Sequence, residues 1–129
     1  MKYGVIGTGY WGSNHARVAA ELADEGVIDS VVLCDIDENR VAELASSYDV
    51  NYTTEYTELA SVGVDAATVA TPSPTHHKIT TQLLQDGVDC LVEKPLALNS
   101  EDAWDMVKTA EKTDGTLGVG HIFRYHPAL

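Results

Sequence analysis

With 129 residues, the chain is long enough for one domain with a buried hydrophobic core. Its formal net charge of −12, from 20 acidic against 8 basic residues, argues against a nucleic acid or an anionic membrane as partner. No apolar run approaches the ~18 residues of a membrane span and nothing resembles a signal peptide, so we expect a cytoplasmic protein.

The first predicted element is an apolar strand at residues 3–6, which runs into the glycine-rich turn 7–12, G-T-G-Y-W-G. Its G-x-G-x-x-G spacing is that of a dinucleotide-binding turn, although an ordinary glycine turn can share it. Gly7 would allow the sharp turn out of the strand, and Gly9 would leave room for a pyrophosphate. Gly12 would let the next helix pack closely on the sheet. That helix would direct its free N–H groups and positive end at the phosphates.

Small residues line one face of this first helix, as close packing on a sheet requires: Ala16, Ala19, Ala20 and Ala23. Val18 and Leu22 are expected to add bulk. A second apolar strand at 30–34 ends in Asp35, at about the 20-residue spacing expected for the acid that binds the adenosine ribose. Helix capping is the alternative role, but Asp37 is better placed for it. Strand, turn, helix and acid together predict a Rossmann fold.

The later elements continue the alternation of strands and helices. In order, we expect a helix capped by Asp37, a strand near 50–53, a short helix around 55–60, a strand at 66–71, a helix at 73–87, a strand at 89–92, a helix at 100–115 and a strand at 116–122. Ser73 and Ser100 are predicted to cap their helices, and Gly87 and Gly115 to end them. This rhythm predicts a doubly wound parallel six-stranded sheet of order 3-2-1-4-5-6.

Two cysteines, Cys34 and Cys90, fall in apolar strands that are three strand spacings apart in this order, roughly 14 Å. A disulfide requires Cα atoms within about 7 Å. We therefore expect two buried, reduced thiols.

Acidic residues fall mainly on predicted helices and near turns, which indicates a solvated acidic surface. An acidic docking face for a basic partner is one interpretation. We favour the other, a surface suited to a very salty cytoplasm in which ions screen the self-repulsion.

Three further stretches follow the fourth, fifth and sixth strands, at the sheet edge where ligands bind in open α/β folds. They are 71–76 (T-P-S-P-T-H), 93–95 (E-K-P) and 120–127 (G-H-I-F-R-Y-H-P). With the glycine turn, they resemble the N-terminal domain of the Gfo/Idh/MocA oxidoreductases, the glucose–fructose oxidoreductase and inositol dehydrogenase family. The resemblance covers residues 1–129, with Ser73 in place of an Asn that the family often has. Family members continue into a second, substrate-binding domain, which we expect to be absent from this chain.

The resemblance implies hydride transfer between nicotinamide and a hydroxyl carbon of a sugar, sugar nucleotide or cyclitol. NAD is the implied cofactor rather than NADP, because Asp35 would repel a 2′-phosphate. The implied cofactor-binding residues are Gly7, Thr8, Gly9, Tyr10, Trp11, Gly12, Asp35, Thr71, Pro72, Ser73, His76, Glu93 and Lys94. His121 and Arg124 are implied substrate contacts, with local hydrogen bonds to loop carbonyls as an equal alternative. No metal site is expected, and the full-length protein is expected to be a homo-oligomer.

Lys94 is the implied catalytic residue, a general base that takes the hydroxyl proton as the hydride leaves. From the residues alone, a surface ion pair with Glu93 is the alternative. Related family members also suggest a cis bond between Lys94 and Pro95. Trp11 is expected either to pack over the nicotinamide end or to close the bottom of the turn. His77 is expected to be a solvated helix residue, since adjacent histidines on a helix make a poor metal pair.

Two other classes of protein stay open. A non-catalytic NAD-binding module, such as a redox sensor or regulatory subunit, would keep the glycine turn and Asp35 but would not need Lys94. A methyltransferase also uses a glycine turn and an acid after the second strand, but the stretch 93–95 argues against it.

Overall fold

The computed structural model describes residues 1–120, so the predicted end of the sixth strand, His121 and Arg124 lie outside the described residues. The strands are β1 Lys2–Ile6, β2 Ser30–Cys34, β3 Asn51–Thr53, β4 Ala66–Val69, β5 Asp89–Glu93 and β6 Leu117–Gly120. The helices are α1 Tyr10–Asp24, α2 Glu38–Tyr48, α3 His76–Gln85 and α4 Ser100–Thr113, with short 3₁₀ turns at Tyr56–Glu58 and Ser73–Thr75. None of these helices is of the length and apolarity needed to cross a membrane.

The six strands form one parallel sheet of order β3-β2-β1-β4-β5-β6, which confirms the predicted topology. The register places Ile6 beside both Cys34 and Val69, and Val69 beside Val92. The carboxyl ends of four neighbouring strands therefore meet at one edge of the sheet. The segments that follow them carry most of the predicted site residues.

Helices cover both faces of the sheet. On one face, α1 and α2 pack against alternate strand residues such as Val5 and Leu33. On the other, α3 and α4 pack against a larger set that includes Ile6, Val69 and Val92. Consecutive strand residues thus serve opposite cores, as expected for a doubly wound sheet that is buried on both sides.

The ends of α3 and α4 differ from the prediction. Ser73 does not cap a helix: it opens the 3₁₀ turn, and α3 begins only at His76. Asn99, not Ser100, caps α4, because its extended backbone lets the Asn99 side chain accept a hydrogen bond from the Asp102 N–H at 2.8 Å. Asp114, not Gly115, takes the left-handed conformation after α4, with φ of 56°.

Other predicted details have mixed outcomes. Asp37 caps α2 by accepting a hydrogen bond from the Arg40 N–H at 3.1 Å, and Gly87 ends the turn after α3 with φ of +86°. Both were predicted. Val18 does not add bulk to the core, because its side chain lies on the solvent side of α1 and is 43% exposed.

Both cysteines are free and buried, as predicted. Burial raises the pKa of the Cys34 and Cys90 thiols to about 12, so both remain protonated at neutral pH. They behave as small apolar residues of the core beside α3 and α4.

Candidate cofactor site

The turn after β1 requires glycine at two of its three glycine positions for reasons of space. Gly7 has φ of +92°, and a Cβ atom there would lie 2.6 Å from the carbonyl oxygen of Ala70. A Cβ at Gly12 would lie 1.7 Å from the carbonyl oxygen of Gly7. A Cβ at Gly9, by contrast, would meet no atom within 4 Å. Gly9 therefore faces open space. This agrees with its predicted role, which is to leave room for a pyrophosphate.

Asp35 is the most heavily engaged acidic side chain at this edge of the sheet. It is 6% exposed, and its Oδ2 atom accepts hydrogen bonds from the Thr8 N–H at 2.8 Å and the Thr8 hydroxyl at 2.7 Å. Arg40 donates to the same oxygen at 2.9 Å, and the Asp37 N–H donates to Oδ1 at 2.9 Å.

Burial opposes ionisation of this carboxyl, but the hydrogen bonds from Asp37, Thr8 and Arg40 outweigh it and lower the pKa of Asp35 to about 2. The carboxylate is thus charged throughout the physiological range. Because Asp37 provides the cap of α2, the alternative capping role for Asp35 is wrong.

A cleft of about 730 Å³ runs along the carboxyl edge of the sheet. The cleft is lined by the glycine turn, by Asp35 and Arg40, and by the loop after β4. A smaller cavity of about 210 Å³ contains Glu93 and Lys94. Both spaces are lined by Trp11, Ala70, Thr71 and Pro72, so they share a wall.

The aromatic residues of the glycine turn are exposed at this edge. Tyr10 and Trp11 make an edge-to-face contact with ring centroids 5.2 Å apart and an interplanar angle of 83°. Since Trp11 lines both the cleft and the smaller cavity, it lies where the two spaces adjoin, and Lys94 lines the smaller one. Both of its predicted roles stay predictions.

His76 joins the two loops that form the smaller cavity. It is 1% exposed, with Nε2 2.8 Å from the carbonyl oxygen of Thr71 and Nδ1 2.8 Å from that of Pro95. It lines the cavity, and its hydrogen bonds go to the protein backbone, so its predicted contact with the cofactor stays a prediction. His77 points to the outer side of α3, where its Nε2 lies 2.7 Å from Asp105 Oδ2 and its side chain is partly exposed.

The segment after β5 brings Glu93, Lys94 and Pro95 to the cavity. Lys94 lines it together with Glu93, His76 and Ser73, and the Lys94–Pro95 bond is cis, as expected. The Glu93 Oε1 atom lies 2.5 Å from Nε2 of His15 on α1. Sequence reasoning missed His15, whose signal was its place one helical turn after Gly12, on the helix that follows the glycine turn.

These residues fit a dinucleotide, on three observations. Gly9 opens onto a long cleft, an ionised buried acid lies at the end of β2, and the first residues of α1 have no side-chain cap on their N–H groups. Within residues 1–120, no group of three or more His, Cys, Asp or Glu side chains is arranged to hold a metal ion. The predicted substrate contacts His121 and Arg124 lie outside the described residues and stay predictions.

Comparison with known proteins agrees with this geometry. The family model for the Gfo/Idh/MocA group, described as "Oxidoreductase family, NAD-binding Rossmann fold", matches residues 1–121. The UDP-N-acetylglucosamine 3-dehydrogenase of Acidithiobacillus ferrooxidans is 35% identical over 130 residues, covering 100% of this chain and 39% of the relative. Inositol 2-dehydrogenase 1 of Saccharopolyspora erythraea is 31% identical, covering 99% of this chain and 39% of its own length.

Solved structures share the fold. The structure of the A. ferrooxidans enzyme superposes with a TM-score of 0.88 at 33% identity, covering 99% of this chain and 39% of that one. GenD2 from gentamicin A biosynthesis, solved in complex with NAD, superposes with a TM-score of 0.86 at 30% identity, covering 98% of this chain and 36% of its own. The chain thus spans well under half the length of the curated relatives it matches.

Proposed function

The chain belongs to the Gfo/Idh/MocA oxidoreductase family, and on that basis we propose that it is the cofactor-binding domain of an NAD-dependent sugar-type dehydrogenase. One observation carries the proposal. Lys94 lines a cavity that shares a wall with the cleft between the glycine turn and Asp35. A dinucleotide with its ribose at Asp35 and its pyrophosphate at Gly9 would run along that cleft toward Lys94.

The proposed reaction is oxidation of a hydroxyl carbon of a sugar, sugar nucleotide or cyclitol, or its reverse. When bound, NAD supplies the hydride acceptor. Lys94 acts as the general base: its amine takes the hydroxyl proton as the carbon gives up its hydride, so that the carbinol becomes a carbonyl. Trp11 and the loop after β4 shield the cavity on the side that it shares with the cleft.

The substrate class is supported by relatives with printed activities on a sugar nucleotide and on inositol. We propose that residues 1–129 form the Rossmann domain and that a second domain of the full-length enzyme supplies most of the substrate site. Contacts from His121 and Arg124 to the substrate belong to the same proposal.

The preference for NAD is proposed from the charge at Asp35. An ionised carboxylate accepts hydrogen bonds from the ribose hydroxyls of NAD and repels the 2′-phosphate of NADP. Arg40 opposes this preference in part, because its guanidinium lies 2.9 Å from Asp35 and is half-exposed. We therefore expect NAD to bind more tightly than NADP.

Calorimetric titration of NAD, NADP and S-adenosylmethionine into the chain tests this part of the proposal. Binding of NAD with a smaller Kd than NADP, and no binding of S-adenosylmethionine, is expected. Tighter binding of NADP would contradict the role of Asp35, and binding of S-adenosylmethionine alone would indicate a methyltransferase. Turnover is tested in the full-length gene product, by following NADH formation with UDP-sugars, free sugars and inositols.

A non-catalytic redox-sensing or regulatory module is the less favoured alternative. Such a module has no use for Lys94, and two relatives that match nearly the whole chain are named dehydrogenases. NAD binding without turnover on any hydroxylated substrate by the full-length protein would support the module.

The remaining features are proposed on more general grounds. A cytoplasmic location is supported by the use of NAD, which is a cytoplasmic metabolite. The net charge of −12 supports a surface adapted to high salt and argues against nucleic acid and anionic membranes as partners. A homo-oligomeric state of the full-length enzyme is proposed from the family resemblance.

A further inference from the structure

The cleft that carries the proposed cofactor site differs in charge from the rest of the molecule. The chain has a net charge of −12, and all of its 20 acidic residues lie in the described part, residues 1–120. Of these acids, only Asp35 lines the cleft, whereas two basic residues, Arg40 and Lys78, line it. The charged side chains that line the cleft are therefore positive in sum, on a strongly acidic protein.

The two basic residues of the cleft differ in what they contact. The Arg40 guanidinium donates to Asp35 Oδ2 at 2.9 Å, so their charges partly offset each other. The Lys78 side chain makes neither a hydrogen bond nor a salt bridge to any residue that the structure describes. Lys78 thus supplies the cleft with a positive charge that no described carboxylate engages.

The first turn of α3 brings Lys78 to the cleft. Two buried residues, His76 and Ile79, pack this turn against the protein and leave Lys78 on its exposed side. α3 also packs against the short turn Tyr56–Glu58, and Tyr56 lines the same cleft. The core therefore holds the backbone of Lys78 in place, while its exposed side chain borders the cleft.

We propose that Lys78 is a cofactor-binding residue, whose ammonium contacts a phosphate group of the dinucleotide in this cleft. The inference rests on the proposed function, because it concerns the cofactor of that same site. It adds a side-chain cation to the groups already described for the phosphates, which are the open backbone at Gly9 and the N–H groups at the start of α1.

The physical reason is the charge of the cofactor. The pyrophosphate of a dinucleotide is anionic, and the acidic surface of this chain repels it at long range. An ammonium that borders the cleft attracts it at short range, where salt screens the attraction less than on an open surface. Lysine binds phosphate as a point charge on a flexible stem, so no fixed geometry is needed before the cofactor arrives. The loss of side-chain freedom offsets part of this attraction, and the effect on Kd is therefore moderate.

The test compares the parent with Lys78→Gln and Lys78→Arg, by calorimetric titration of NAD and by NMR titration of adenosine, which has no phosphate. In Lys78→Gln, which removes the charge but keeps a good helix former, the Kd for NAD should rise by about 3- to 10-fold. The Kd for adenosine should stay within about 1.5-fold of the parent, because adenosine offers the ammonium no charge. Lys78→Arg keeps the charge, and its Kd for NAD should stay within about 2-fold of the parent.

Titration of NADP into the same proteins identifies the phosphate. A larger loss in Lys78→Gln for NADP than for NAD would show that the ammonium also contacts the 2′-phosphate. Equal losses for the two cofactors would assign the contact to the pyrophosphate. Either pattern supports a phosphate contact by Lys78.

Lys112→Gln is the matched control, because it removes the same charge from an exposed lysine in the last turn of α4 that does not line the cleft. Its Kd for NAD should stay within about 1.5-fold of the parent. A parent-like Kd for NAD in Lys78→Gln, an equal loss for NAD and adenosine, or an equal loss in Lys112→Gln would each overturn the inference. Failure of the proposed function is distinct, since it would show as absent NAD binding in the parent.

Discussion

Replacement of Asp35 by asparagine is expected to destabilise the fold in a pH-dependent way. The folded-state pKa of about 2 lies roughly 2 units below the ordinary value of 3.8. At ~1.4 kcal/mol for each unit, ionised Asp35 contributes about 2.5 kcal/mol to the free energy of unfolding at pH 7. We expect the free energy of unfolding to fall by a further ~1 kcal/mol at every pH. The reason is that the NH₂ group of asparagine cannot accept the hydrogen bonds that Thr8 and Arg40 donate to Asp35.

The sign of the pH dependence follows from the lowered pKa. The contribution is fully present above pH ~5, where the carboxyl is ionised in folded and unfolded chains alike. It is lost as pH falls through the interval between the two pKa values, with about half gone at pH 3. Urea unfolding of the parent and Asp35→Asn at several pH values between 7 and 3 measures the difference directly.

Asp37→Asn is the matched control, because Asp37 is a neighbouring acid and asparagine caps a helix as well as aspartate does. Its free energy of unfolding should stay within about 0.5 kcal/mol of the parent, with no comparable trend in pH. A difference between the parent and Asp35→Asn that is the same at pH 7 and pH 3 would refute the assignment of a stabilising, ionised carboxylate at this position.

Three further predictions concern the turn, the base and the surface. Gly9→Ala should fold with normal stability and bind NAD at least about 10-fold more weakly. Gly12→Ala should be strongly destabilised, because its Cβ would lie 1.7 Å from the Gly7 carbonyl oxygen. Equal losses of Tm in the two variants would contradict this account. In the full-length enzyme, Lys94→Ala should leave the Kd for NAD nearly unchanged and lower kcat by ~10²–10⁴-fold, and normal turnover would exclude Lys94 as the base. The Tm of the chain, with its net charge of −12, should rise as salt is added to molar concentrations, and a flat or falling Tm would favour the acidic docking face.

The sheet order and the ribose-side acid could be predicted from the sequence because both depend on signals that are local in the chain. An apolar run, a glycine turn and an acid at the end of the next strand are each visible within a few residues. The short strand β3, at Asn51–Thr53, has a weak local signal, and its place beside β2 follows from the strand order of the whole fold. The sheet order and the position of Asp35 are both determined by backbone geometry and by burial of apolar strands.

The helix ends and the contact of His15 with Glu93 could not be predicted from local signals. Asn99 and Ser100 are both good capping residues, and only the extended backbone at Asn99 decides between them. Gly115 was predicted to end α4 as a left-handed residue. A Cβ at this position would lie 3.1 Å from the Leu84 side chain, so close packing explains why glycine is found here. The contact of His15 with Glu93 spans 78 residues and depends on how α1 lies across the sheet.

The link made by His76 has a consequence for how this site tolerates sequence variation. Both of its partners are main-chain oxygens, one in each loop of the smaller cavity, so the link does not depend on the side chains of those loops. The side chain of Ser73 takes no part in this link, so we expect its substitution to leave the segment that carries Lys94 in place. One buried ring thus connects the two loops, and their side chains are left available for contacts within the cavity.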